Sequence, residues 1–103
     1  MSVSRSSKST ANTVIISGTV VGSPVYGFNA EYATNELKFM INCISYDSEG
    51  KAYSNKELCK VLGDAATTNQ DLSDGMKITL LGRLKYPKGS FRGFVQGYEL
   101  DRQ

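Results

Sequence analysis

The residues of this chain that are equipped for chemistry are rings and cations. Six Tyr and four Phe stand among twelve Lys and Arg, and the chain has no His and no Trp. Without His the commonest acid–base catalyst is missing. With Cys43 and Cys59 as its only cysteines, the chain also lacks the donors for a four-ligand Cys/His zinc site. No Walker A sequence or Gly-x-Ser-x-Gly elbow occurs, and the acids are scattered without evident pairing. These absences point to a non-enzyme with no cofactor and no metal.

Rings and cations together suit another task. An unpaired nucleic acid strand is held by flat side chains that stack on bases and by positive groups that meet phosphates. The stretch from Lys77 to Arg92 carries Lys77, Arg83, Lys85, Lys88 and Arg92 and no acid, which makes one region locally positive on a chain of net charge +2. Tyr86 and Phe91 flank a turn bearing Lys88, with Arg92 just beyond, and Tyr46 and Tyr53 flank a second turn bearing Lys51. Lys38 shares the strand face of Tyr46, Lys56 shares one with Lys60, and Arg83 shares one with Lys85. The candidate nucleic-acid-binding set is therefore Lys38, Tyr46, Tyr53, Lys56, Lys60, Arg83, Lys85, Tyr86, Lys88, Phe91 and Arg92. Tyr26, Phe28 and Tyr32, placed in the connection after the first strand, carry less weight. Phe94 and Tyr98 suit a barrel interior or a subunit contact as well as they suit a base. Aromatic pairs across hairpins also stabilise sheets on their own account.

The elements that must position these residues are strands. The first runs from Thr13 to about Val25, β-branched and interrupted by Gly18 and Gly22, as befits a strand that bends to serve two sheets. The second, Glu36 to Tyr46, alternates, with Leu37, Phe39, Ile41 and Cys43 on one face. The third runs from Tyr53 to Leu62, the fourth from Met76 to Tyr86 and the fifth from Phe91 to Leu100. Between the third and fourth, Gly63 to Gly75 reads as a helical turn that Asp64 can cap. In Tyr86-Pro87-Lys88-Gly89-Ser90-Phe91, Pro and Gly predict a tight type I hairpin turn. Five strands with one helix between the third and fourth match an all-β OB-fold barrel. Residues 1–11, rich in Ser, read as a flexible basic arm without the apolar centre of a secretory signal, and 12–103 as the barrel. No apolar run is long enough to span a bilayer, and the two cysteines read as buried free thiols of a cytoplasmic protein.

Asn12-Thr13-Val14-Ile15-Ile16-Ser17-Gly18-Thr19-Val20-Val21-Gly22-Ser23-Pro24 resembles the opening strand of bacterial single-stranded DNA-binding proteins, a family with the pattern N-x-V-x-L-x-G-x-L-x-x-x-P. Leu58-Cys59-Lys60-Val61-Leu62-Gly63-Asp64-Ala65-Ala66 is similar to the family's third strand running into its helix. Leu72-Ser73-Asp74-Gly75 followed by Ile78-Thr79-Leu80-Leu81-Gly82-Arg83-Leu84 is similar to its L-x-x-G-x-x-V-x-V-x-G-x-L stretch.

The resemblance implies single-stranded DNA as partner, little sequence preference, assembly into a homo-dimer or tetramer, and work in replication, recombination or repair. It places Tyr46 where the family often carries Trp, and puts Lys56 and Leu62 at two further aromatic positions, so the stacking pattern is kept in part. The family's acidic tail has no counterpart after Leu100-Asp101-Arg102-Gln103. Either the tail has been removed from this sequence or the chain is a tail-less relative, such as a phage or plasmid version or the single-domain primosomal cousin. An alternative is an OB-fold subunit or adaptor of a replication assembly that binds DNA weakly. RNA binding through the same rings is a third.

Overall fold

The computed structural model describes residues 13–46, 49–90 and 92–103, apart from the side chains of Ser45 and Tyr46. The predicted arm therefore lies outside the described residues. The elements follow in the order β1 (Thr13–Asn29), β2 (Thr34–Tyr46), β3 (Ala52–Leu62), α1 (Asp64–Thr68), β4 (Lys77–Lys85) and β5 (Phe94–Arg102). The strands close into a barrel in the order β1-β2-β3-β5-β4, with the helix between the third and fourth, as an OB fold requires.

Closure depends on β1 serving two partners. Its first half, Thr13–Thr19, pairs antiparallel with β4, and from Thr19 onward it pairs antiparallel with β2. Two devices let it turn. At Gly18 the strands approach so closely that a Cβ would overlap the Asn42 carbonyl. A register shift between Val21 and Val25 then contains Gly22, whose φ of 80° is left-handed and nearly free of cost only for glycine. The expected end of this strand near Val25 is thus corrected. Register with β2 resumes after the bulge, so Tyr26 and Phe28 lie in β1 itself, and of the three aromatics only Tyr32 sits in the connecting turn.

The alternation in β2 works as its sequence predicts. Leu37, Phe39 and Ile41 point into the barrel, where they meet Val20, Cys59, Val61, Ile78, Leu80 and Val95. Cys59 is fully buried, whereas Cys43 is only half-buried, and both are free thiols.

Ala66 and Leu72 close one end of the core from the helix and the loop after it. The cap differs from expectation. Gly63, at φ 66°, occupies the N-cap position without a side-chain cap bond, and Asp64 is instead the first helical residue, where its charge suits the helix dipole. The far side of this loop is tied to β5. Arg102 Nη1 donates to Asp71 Oδ2 at 3.0 Å, and Arg102 Nε donates to Asn69 Oδ1 at 3.1 Å.

The β4–β5 connection is a tight turn in which Ser90 N donates to the Pro87 carbonyl at 3.0 Å. Gly89, at φ 79°, sits third of the four residues, which is type II geometry, with Lys88 rather than Pro87 in the second position. In β5, Val95 and Gly97 face inward, and a register shift opposite Leu81/Gly82 leaves Tyr98 as an extra residue. That bulge is why the sequence shows no clean alternation there. Among the described residues no helix is long and apolar enough to cross a membrane.

A candidate nucleic-acid interface between two turns

The outward faces of the strands carry the cations. Lys38 lies opposite Lys60 across β2 and β3, Lys60 opposite Gln96 across β3 and β5, and Gln96 opposite Arg83 across β5 and β4. Like charges directly opposite one another weaken a sheet. Part of that strain is relieved because Lys60 Nζ lies 4.2 Å from the centre of the Phe94 ring.

Beside this row lies a cleft of about 430 Å³ between the β1–β2 turn and the β4–β5 turn. That volume falls within the ~300–1,000 Å³ usual for small-ligand sites. Lys60, Lys85 and Lys88 supply its positive charge, and Tyr32, Tyr86 and Phe94 supply its rings. Tyr86 is 60% exposed and Tyr32 49%, so both offer ring surface to a visitor. Tyr86 lies against the backbone at Gly93, where a Cβ would stand 2.9 Å from its Cε1, so this glycine makes room for the ring. Ser90 steadies the adjoining loop: its hydroxyl donates to the Arg92 carbonyl at 3.2 Å and accepts from Arg92 N at 3.1 Å.

The opposite wall is held by a single amide. Asn29 Nδ2 donates to Glu36 Oε2 at 2.8 Å, and Asn29 Oδ1 accepts from the backbone N–H of Tyr32 at 3.1 Å. One side chain thus holds both the Tyr32 backbone and a carboxylate at the edge of the cleft.

Of the residues nominated from sequence, Lys60, Lys85, Tyr86 and Lys88 converge on this cleft. Lys38 and Arg83 lie on the adjoining outward row. Lys56 sits four residues along β3 from Lys60, about 13 Å at ~3.3 Å per residue, opposite Asn42. Tyr53 lies near the far tip of the β2–β3 hairpin with Lys51 Nζ 5.8 Å from its ring centre, and Arg92 is exposed beyond the β4–β5 turn. Tyr46 pairs with Ala52 at the end of β2, but its side chain, like all of Phe91, lies outside the described residues.

Sequence reasoning gave Tyr32 little weight, divided Phe94 between core and site, and passed over Asn29, Glu31 and Glu36, all of which line the cleft. The place of Tyr32 next to a turn was the available signal. Nothing local marked the acids.

Away from the cleft, burial pushes the Cys59 thiol up to about 12, with Cys43 and Glu57 adding to the effect. Burial and Glu57 raise Cys43 as well, so neither thiol is a ready nucleophile. The hydrogen bond from Arg102 holds Asp71 below the usual carboxylate range. Among the described residues no group of three or more Cys, Asp or Glu side chains is placed to hold a metal ion.

A closed five-stranded barrel with a ring-and-cation cleft between its β1–β2 and β4–β5 turns defines an OB-fold protein. Solved structures narrow the likeness. The small single-stranded DNA-binding protein from Streptomyces coelicolor superposes with a TM-score of 0.73 at 16% identity, covering 88% of this chain and 91% of that one. The single-stranded DNA-binding protein from Thermus aquaticus gives 0.73 at 20% identity, over 89% of this chain and 50% of that one. PriB from Ralstonia solanacearum gives 0.73 at 13% identity, over 89% and 98%. At such identities the likeness is one of fold. No protein-family model and no curated protein matches the sequence.

Proposed function

We propose that this chain binds single-stranded DNA without enzymatic activity, stacking bases on Tyr86 and Tyr32 and meeting phosphates with Lys60, Lys85 and Lys88. The observation that carries the reading is the convergence of three lysines and three rings on one cleft between the two turns. That is where OB folds border their ligand face. The opposed Lys38 and Lys60 support it, since a polyanion laid across them relieves a repulsion that the free fold bears.

From the cleft the outward row offers a path along β2 and β3 past Lys38 and Lys56 toward the β2–β3 hairpin. Fold relatives described as single-stranded DNA-binding proteins support the choice of DNA. Assembly into a homo-dimer or tetramer and work beside replication, recombination or repair proteins belong to the same proposal.

The test is a fluorescence-anisotropy titration with dT oligomers of graded length at two salt concentrations, repeated with matched RNA. Salt-sensitive binding that favours DNA supports the reading. A flat titration in dilute buffer removes it. A second reading, an OB-fold adaptor that docks on another protein, draws on the exposed Phe28, at 69%, and Ile44, at 59%. Flat titrations with stable capture by a replication protein would favour it.

A further inference from the structure

We infer that the cleft contains a base-reading subsite that prefers guanine, with Glu36 as the reading group. The inference rests on the proposed single-strand binding and specifies what the cleft selects. Glu31 and Glu36 line the same space as three lysines, yet among the described residues neither forms an ion pair with one of them. A carboxylate that is not locked in an ion pair keeps its oxygens open, and those oxygens repel phosphate. The part of a bound strand that suits them is a hydrogen-bond donor, and within a DNA strand, which lacks the 2′-hydroxyl, the donors are on base edges.

Glu36 is the prepared one of the two. It is half-buried on β2, and Asn29 fixes its Oε2 while also fixing the Tyr32 backbone. An ionised carboxylate only accepts, and each oxygen has two lone-pair directions, so Oε2 keeps capacity beside its bond from Asn29.

In a single strand the Watson–Crick edge is open to such a group. Guanine alone presents two adjacent donors there, N1–H and the N2 amino group, which match the two oxygens of a carboxylate in a paired, bidentate contact. Thymine presents one donor between two carbonyl oxygens that face the carboxylate unfavourably. Cytosine and adenine present an amino group next to an unprotonated ring nitrogen. The selection thus works by attraction to one base and repulsion of the others. Tyr32 or Tyr86 supplies the ring on which the base lies, at an edge already set by the Asn29 amide.

The test compares all-dT strands with the same strands bearing one central dG, dA, dC or deoxyinosine, on the wild-type protein and on Glu36→Gln. A single guanine should tighten binding about tenfold, within the range of a good bidentate contact. Deoxyinosine, which lacks the N2 amino group, should fall in between, and dA and dC should stay near dT. Glu36→Gln keeps an acceptor for Asn29 but turns an amide toward the base, and should bring the guanine advantage to within about twofold. The deoxyinosine comparison needs no protein variant, so it holds even if Glu36→Gln folds poorly. Equal affinity for dG and dT strands overturns the inference, as does a guanine advantage that survives in Glu36→Gln or equal gains from dG and dA. Binding that ignores base identity removes this inference alone. No binding to any strand removes the proposed function with it.

Discussion

Tyr86 is the residue on which ring stacking is most directly tested. The residue is 60% exposed, and its ring lies against Gly93. At ~25 cal/mol per Å² of apolar surface, Tyr86→Ala should cost stability on the order of 1 kcal/mol, the covered part being the minor share of the residue. That corresponds to a fall in Tm of roughly 4–8 °C for a domain of this size, leaving a folded protein to titrate. Loss of one stacked base removes roughly 1–3 kcal/mol of binding, so affinity for oligo-dT should fall about 5- to 150-fold. Because the ring neutralises no phosphate, the slope of log affinity against log salt should not change. Tyr86→Phe keeps the face and loses the hydroxyl, so it should bind within about twofold of wild type. Anisotropy titrations over a salt series, with thermal unfolding as the control for folding, read all four quantities. Full affinity in Tyr86→Ala would refute the stacking assignment. So would an equal loss in Tyr86→Phe, which would point to the hydroxyl, or a reduced salt slope.

Lys88→Gln should lower the magnitude of the salt slope by about 0.7, the single-strand value for one phosphate, and weaken binding mostly at low salt; an unchanged slope would take Lys88 off the phosphate path. Gly82→Ala should destabilise more than Gly97→Ala in denaturant melts. A Cβ at Gly82 overlaps the Gln96 carbonyl, which is backbone, whereas one at Gly97 meets the side chains of Leu80 at 2.5 Å and Val61 at 2.7 Å. Side chains shift more readily, so Gly97→Ala should cost about 1–3 kcal/mol and Gly82→Ala more, and the reverse order would contradict the barrel register. Cys59 should resist thiol reagents at neutral pH until the protein unfolds, because the folded state favours its protonated form. By the same sign, its contribution to stability is complete below the ordinary thiol value of 9.0 and is lost as the pH rises toward about 12. Rapid labelling of native protein at Cys59, located by mass spectrometry, would contradict its burial.

Local sequence determined what local physics controls. Alternation in β2 predicted Leu37, Phe39 and Ile41 as core, and all three are buried, because side chains on a strand with one covered face must alternate. The β-branched first strand with Gly18 and Gly22 announced a bend, and the strand order announced the barrel. Where local chemistry offered two solutions, the reading failed: Asp64 is a plausible cap residue, yet Gly63 takes the position because the backbone there is left-handed. The end of β1 was misplaced because register with β2 resumes after the bulge at Gly22, and the sequence marks the bulge but not the resumption.

The cleft belongs to the tertiary structure alone. Its walls come from residues 29–36, 60–62, 85–88 and 94–96, which meet only because β5 runs parallel to β3 over Cys59–Val61 and Val95–Gly97 and shuts the barrel. Phe94 reached the cleft rather than the core through the placement of β5, whose later bulge at Tyr98 hid its faces from a period-two reading. Sequence by itself determined that the chain carries rings and cations on a small barrel. Which of them share a space, and that Glu36 and Asn29 share it too, was decided by closure. Contact across the barrel depends on register between strands far apart in the chain, and no single segment encodes that register.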